Sequence, residues 1–356
     1  MHDHPTGPTA ATLSTVLDDW VAADPGRRVV AEVIATVVTA SSAVATLIAA
    51  SPTRCRGEDA AAATPTNASG DVQKALDVSA EQLYVAALSG CEVAAVGSEE
   101  TTDAIPLAPG AQLVVTLDPI DGSSNIDINA PIGSIFGVLP AGEFATDPLA
   151  ALLQPGRNQL AAGIIVYGPS TVMALTWGEG TDIYARDPDA QEFVRIHQHV
   201  RLPSDAQEYA INASNARHWA PGIQAYVSDL VTGSLGPRGR DFNMRWLGSL
   251  VAETYRILLR GGIFLYPADA RRNYRQGRIR LVYEANPVAF LTEQAGGEAT
   301  DGIAAILDLQ PSDLHQRTPL VFGSRNKVKR VRRYVVDPPV NHEESPLFSQ
   351  RGLFRR

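Results

Sequence analysis

The stretch LDPIDGSSNID occupies Leu117 to Asp127. It is entered through LVVTL, Leu113 to Leu117, a continuous apolar run that reads as a buried strand. Asp118 and Asp121 then fall on a proline-bearing turn, and Gly122, Ser123 and Ser124 follow at once. Small residues there let backbone N–H groups approach an anion, and a helix starting at this point would aim its positive end at the same spot. Oxygen ligands for a hard cation would thus sit beside a phosphate cradle. Magnesium-dependent phosphoryl chemistry is the first expectation.

Composition narrows the setting. A chain of 356 residues can bury a large core and by length suggests two domains. A net charge of −9 argues against nucleic acid or an anionic membrane surface as partner. Cys55 and Cys91 are the only cysteines, too few for a disulfide framework or a thiolate zinc site, so a reducing cytoplasm is expected. The N-terminus lacks the basic start and apolar stretch of a secretory signal. Val33 to Ala50 is uncharged and long enough to raise a membrane span. Its alanines and hydroxylated residues suit a helix packed in a protein core instead.

The first hundred residues read as Ala-rich helices broken by a polar loop from Cys55 to Asp71. Beyond Leu113, apolar runs at Ile132–Leu139, Ala161–Val166 and Thr171–Trp177 predict a sheet. A Pro-containing junction marks a boundary near residue 203. After it come strands at Tyr209–Ile211, Ile263–Tyr266 and Ile279–Tyr283, and a helix over Leu247–Leu259. Asn286-Pro287 reads as an N-cap and first turn of a helix stopping at Gly296-Gly297, which leaves Glu284 between a strand end and a helix start. The basic cluster Lys327, Lys329, Arg330, Arg332 and Arg333 reads as a solvated helix face, and residues 336–356 as a flexible tail. None of the seven histidines is assigned a role.

The string from Leu117 to Asp127 resembles the signature of the sugar phosphatase superfamily. Further blocks resemble class I fructose-1,6-bisphosphatase of the bacterial type: TNASGDVQKALD (Thr66–Asp77), GSEE (Gly97–Glu100), GGIFLYPAD (Gly261–Asp269) and RIRLVYEANPVAFLTEQAGG (Arg278–Gly297). The resemblance implies an α/β fold, the layered αβαβα sandwich, with an N-terminal metal-binding half over 1–203 and a C-terminal substrate-binding half over 204–335. It implies hydrolysis of fructose 1,6-bisphosphate by a metal-activated water. Two or three magnesium ions per subunit are expected, with manganese as a substitute.

Roles follow position by position from the resemblance. Asp118, Asp121 and Glu284 would hold one cation, and Glu99, Asp118 and the carbonyl of Ile120 a second. Asp71 and Glu99 would serve a third. Asp77 and Glu100 would accept the proton of the attacking water. Asp121, Gly122, Ser123 and Ser124 would meet the reacting phosphate, while Asn212, Tyr266 and Arg278 bind the distal one. Arg245 would serve a neighbouring subunit, which implies a homotetramer. Arg278 stands where animal members have lysine, keeping the charge and adding a planar fork. Asn215 and Trp246 replace tyrosines, and Gln112 and Leu113 replace the Lys-Tyr pair with which animal members bind AMP. Weak or absent AMP inhibition is therefore expected.

Seven carboxylates of these blocks are given a role, Asp71, Asp77, Glu99, Glu100, Asp118, Asp121 and Glu284, and each adjacent pair would repel by about 3 to 4 kcal/mol at 4 to 5 Å and an effective dielectric near 20. Such a cluster requires cations, and its oxygen-only donors select magnesium or manganese over zinc. The alternatives carried forward are a dual enzyme that also takes sedoheptulose 1,7-bisphosphate, and a catalytically silent sugar-phosphate sensor.

Overall fold

Backbone pairing in the computed structural model, which describes residues 11–54 and 75–338, builds two main sheets. Three helices come first: α1 (Leu13–Ala23), α2 (Arg28–Arg54) and α3 (Ala75–Leu88). The larger sheet has eight strands: β1 (Val93–Ser98), β2 (Ile105–Pro106), β3 (Leu113–Asp121), β4 (Ile132–Pro140), β5 (Ala161–Tyr167), β6 (Thr171–Thr176), β7 (Thr181–Arg186) and β8 (Phe193–His197). Their order is β2-β1-β3-β4-β5-β6-β7-β8, and the short α4 (Pro148–Leu152) packs near β1.

The second sheet is assembled from β9 (Glu208–Ile211), β10 (Asn243–Met244), β11 (Ile263–Tyr266), β13 (Glu298–Thr300) and β15 (Leu320–Gly323), in the order β10-β9-β11-β15-β13. A separate pair joins β12 (Ile279–Arg280) to β14 (Arg317–Thr318). Helices α5 (Pro221–Thr232), α6 (Leu250–Arg260), α7 (Asn286–Gln294) and α8 (Arg325–Val336) complete the order.

Strand alternation assigns the layers. On β3 and β4, Leu113, Val115, Leu117, Phe136 and Val138 enter a core with α1, α2 and α3. Ile135 on β4 and Ala162 and Ile164 on β5 face the other way, into a core with Leu250 and Val251 of α6 and Val288 and Leu291 of α7. Phe264 of β11 and Phe322 of β15 close that core from below. Ile263, Leu265 and Val321 face outward onto α5 and α8. The sequence of layers is αβαβα, as expected. Close approach of the middle helices needs bare backbone on β4: a Cβ at Gly133 would lie 2.0 Å from the Ile165 carbonyl oxygen and 2.7 Å from Val251 Cγ2.

Helix α2 meets the length and hydropathy of a membrane span, yet Val33, Ile34, Val37 and Val44 are fully buried in the first core. Its apolar side is a packing face.

Several expectations are corrected. Asp118 and Asp121 lie within β3 rather than on a turn after it. The helix expected at Ser123 is one 3-10 turn, Ser123–Asn125, too short for an appreciable dipole. Ile279–Tyr283 is a strand for two residues only, because Leu281–Ala285 forms a π-helical turn that runs directly into α7. Asn286 therefore lies in continuous helix and caps nothing. Glycine does end α7, with Gly296 at φ 84°. Strands β1, β2, β7, β8, β10, β13, β14 and β15 were not anticipated. Lys327 is 1% exposed, because it shares the inward face of α8 with Val328 and Val331.

Candidate active site

The geometry of the site begins with a register slip. On β3, Asp118 pairs with Ile135 and Asp121 with Gly133, three residues against two. In a regular strand residues three apart point to opposite faces. The extra residue, in a segment holding Pro119 with no N–H to pair, returns Asp121 to the face of Asp118. The Pro119 carbonyl accepts a hydrogen bond from buried Ser134 Oγ at 2.7 Å. Both aspartates consequently look into the middle helical layer.

Two neighbours converge on the same place. β1 runs parallel to β3 with Ser98 opposite Leu117, and Glu99 N donates to Leu117 O at 3.1 Å, so Glu99 and Glu100 emerge beside Asp118. The π-turn ahead of α7 delivers Glu284. Asp118, Asp121 and Glu284 each place a carboxylate oxygen within 4.8 Å of the others, at 1%, 8% and 4% exposure.

Asp121 is tied to the N-terminus of α6: Oδ2 accepts from Ser249 Oγ at 3.1 Å and from Val251 N at 2.9 Å. A carboxylate is favoured at a helix N-terminus. Glu284 Oε2 accepts from Arg280 N at 2.5 Å, and the Arg280 guanidinium reaches Glu99 at 2.8 Å and Glu284 at 3.9 Å. Both oxygens of Asp118 are buried and find no hydrogen-bond donor among the described residues. An uncompensated buried carboxylate costs several kcal/mol.

Titration reflects this crowding. Burial first, and then Glu99, Glu284, Asp121 and Glu100, push Asp118 well above the carboxylate range. Burial lifts Asp121 to about 6 against its hydrogen bonds from Val251 and Ser249. Burial lifts Glu284 to about 8 despite Arg280. One guanidinium does not neutralise the group. The orphaned oxygens of Asp118 and the all-oxygen donor set fit a hard divalent cation.

On α3, Asp77 and Glu81 stand one turn apart and are buried, and burial raises the Glu81 carboxyl. Ile120 is buried in the slipped segment of β3. Gly122 adopts φ 76°, where a Cβ would sit 3.2 Å from Ser249 Cβ. Asp71 lies outside the described residues.

A second group surrounds Tyr266, at the end of β11. Trp246 stacks on its ring at 5.8 Å and 20°. The Arg278 guanidinium lies 5.6 Å from that ring and 4.3 Å from Tyr274, and Arg271 lies 4.4 Å from Tyr274. Arg271 also donates to Asn215 Oδ1 at 3.0 Å and pairs with Asp269. Asn212 opens the same 3-10 segment as Asn215, its Oδ1 accepting from Ser214 N at 3.2 Å. Arg245 is 55% exposed, with only a 3.9 Å approach to Glu208.

The structure thus brings Glu99, Glu100, Asp118, Asp121 and Glu284 together, and Tyr266 with Arg278. Sequence reasoning missed Arg280, Ser249, Glu81 and Arg271. Arg280 and Glu284 are four apart, and so are Asp77 and Glu81. That spacing was the available signal for both.

A slipped strand presenting clustered carboxylates under a helix N-terminus, within an αβαβα sandwich, defines a metal-dependent phosphatase scaffold. Family models for "Fructose-1-6-bisphosphatase, N-terminal domain" and "Fructose-1-6-bisphosphatase, C-terminal domain" match residues 27–198 and 202–336. The class 1 fructose-1,6-bisphosphatase of Azorhizobium caulinodans is 50% identical over 329 residues, covering 91% of this chain and 98% of that protein. The class 1 enzyme of Rhizobium meliloti is 55% identical over 291 residues, covering 82% and 83%. The holo crystal structure of Leishmania major fructose-1,6-bisphosphatase superposes with a TM-score of 0.84 at 34% identity, covering 92% of this chain and 99% of that one. The chain belongs to the fructose-1,6-bisphosphatase family.

Proposed function

We propose that the chain hydrolyses the 1-phosphate of fructose 1,6-bisphosphate, giving fructose 6-phosphate and inorganic phosphate. The observation that carries this reading is the buried, mutually repelling trio Asp118, Asp121 and Glu284, with both Asp118 oxygens unbonded, opening beside Glu99 and Glu100.

Asp118, Asp121 and Glu284 would hold one magnesium or manganese ion, and Glu99, Asp118 and the Ile120 carbonyl a second. Asp71 and Glu99 would serve a third. When bound, such cations neutralise phosphoryl oxygens and ease ionisation of water and of the leaving sugar oxygen. Everything else falls to side chains and backbone. Asp77 and Glu100 take the proton of the attacking water. Gly122, whose left-handed backbone brings the chain close, orients the reacting phosphate with Ser123 and Ser124, while Asp121 keeps this turn moored to α6. Asn212, Tyr266 and Arg278 hold the phosphate that does not react, and the ring of Trp246 fixes Tyr266.

We take residue 203 as the border between a metal-binding half and a substrate-binding half. The exposed Arg245 is read as serving a neighbouring copy in a homotetramer, which ultracentrifugation tests. Packing of α2 into the core and the cysteine content support a cytoplasmic setting without membrane or nucleic-acid partners. Leu113 is 3% exposed inside the first core, which supports insensitivity to AMP.

The decisive assay measures phosphate release from a panel of sugar phosphates with and without magnesium. The reading expects release from fructose 1,6-bisphosphate only with the cation. No release from any bisphosphate would overturn it, and the sedoheptulose 1,7-bisphosphate arm sets the breadth of specificity.

A further inference from the structure

The outer face of the five-stranded sheet, turned away from Tyr266 and Trp246, carries an excess of positive charge. Three cationic side chains surround one ring: Lys327 Nζ lies 4.3 Å from the centre of Phe242, the Arg238 guanidinium carbon 4.8 Å, and that of Arg240 5.3 Å. These rings and cations come from separate elements, Lys327 from α8 and the others from the loop between α5 and β10.

Aromatic faces attract single cations, but one ring cannot satisfy the N–H donors of three. Lys327 is 1% exposed, and its Nζ has no hydrogen-bond acceptor among the described residues. Among the described residues Arg238 Nε and Nη1 likewise find no acceptor, and the hydroxyl of the fully buried Tyr226 lies beside the Arg238 guanidinium. Only Arg240 is answered, by a salt bridge to Asp205. Burial holds the Lys327 amine down to about 7, against the pull of Asp205. Buried donors without acceptors are rare in folded proteins and ask for a ligand or ion.

We propose that the cluster of Arg238, Arg240 and Lys327 around Phe242, next to Tyr226, is a binding site for a phosphate-type oxyanion. An anion of this kind offers several strong acceptor oxygens at once, and arginine forks match its geometry. Tyr226 Oη adds a neutral donor. Asp205 is already engaged by Arg240, Asp241 accepts from the Ser234 amide and Asp229 from the Tyr334 hydroxyl, so among the described residues no carboxylate forms a salt bridge with Arg238 or Lys327. The site belongs to the α5/α8 layer, whereas the carboxylate cluster belongs to the α6/α7 layer on the opposite side of the same sheet. Its occupant is either free inorganic phosphate or the phosphate group of a metabolite.

The test compares the full-length protein with Lys327→Met, which keeps the shape and removes the charge, and with Arg238→Gln as a second variant. Melting is followed with rising inorganic phosphate, and separately with glycerol 3-phosphate, in buffer otherwise free of phosphate. Binding at the catalytic site is common to all three proteins, so the difference between them isolates the new site. The expected result is an additional rise in melting temperature of about 3 °C in the unmodified protein at millimolar anion, lost in both variants, which retain turnover without it. Either anion producing that difference supports the site and the stronger of the two names the source. Equal shifts in all three proteins would overturn it. So would crystals grown with selenate that show anomalous density beside Arg278 and none within hydrogen-bonding distance of Lys327 Nζ.

Discussion

Asp118 and Lys327 are both buried, opposite in sign, and their charged groups have no hydrogen-bond partner among the described residues. The carboxylate cluster reaches its place through a slipped strand, a parallel neighbour and a π-turn. The cationic cluster reaches its place through a helix face and a loop. Each holds more like charge than a protein interior tolerates, and neither is closed by the described residues. The difference lies in the donors: all-oxygen acceptors on one side fit a hard cation, and N–H and O–H donors on the other fit an oxyanion. An unmatched buried charge is therefore informative about the complement it lacks.

The comparison breaks most severely at Asp118. Asp118→Ala should lower turnover by on the order of a thousandfold, since several kcal/mol of charge stabilisation are removed. The same change should raise the melting temperature of the cation-free protein, because a repelling buried carboxylate is gone. Normal turnover, or a lower melting temperature without cations, would contradict the role.

Arg278→Ala should raise KM by about ten- to a hundredfold with kcat nearly kept, as loss of a charged hydrogen bond to a non-reacting phosphate predicts. A collapse of kcat at unchanged KM would instead place Arg278 at the reacting phosphate.

Proton linkage gives the two regions opposite slopes. In the cation-free protein, Asp121 at about 6 and Glu284 at about 8 hold protons that the unfolded chain releases near pH 4. The native state then binds more protons between roughly pH 4 and 8, so stability should fall as pH rises across that window. Added magnesium should flatten this fall, by competing with the protons. Lys327, at about 7 in the folded protein and 10.5 unfolded, reverses the sign: the unfolded chain binds more protons between those values, and stability should rise with pH there. Urea unfolding across pH in wild type and Lys327→Met separates the limbs. The variant should lose the rising limb and be the more stable protein at pH 6 without phosphate. An unchanged profile would mean that Lys327 is not held in the interior.

The smallest effect expected is that of AMP, which should inhibit weakly or not at all. Inhibition at low micromolar AMP would refute the reading of Gln112 and Leu113.

Several sheet strands were legible from continuous apolar runs: Ile263–Tyr266 is found with the expected bounds, and the runs in β4, β5 and β6 within a residue or two, whereas β1 and β15, equally apolar but only four to six residues long, were missed. Short or half-exposed strands such as β8 left no such run. The carboxylates of the site were legible as residues, but their mutual aim was not. Asp118 and Asp121 depend on a slip that a period-two reading excludes, and Glu284 on a π-turn inside a stretch whose apolar residues imitate a strand. Ser249 escaped notice because its partner Asp121 comes from β3, far along the chain, and Arg280 because its 2.8 Å partner Glu99 follows β1, although its four-residue spacing from Glu284 was a signal. Lys327 was misread with its basic neighbours, although its spacing from Val331 already put it on the apolar face.

The five-residue turn at Leu281–Ala285 sets the angular phase between the incoming backbone and α7. Dropping Ala285 would swing Glu284 by about 100° about the helix axis, away from Asp118, while the residues of α7 could keep every apolar neighbour they have. In this scaffold, chain length at one turn acts as a vernier on cation chemistry. A lineage could silence or restore the enzyme by an insertion or deletion without changing a single ligand.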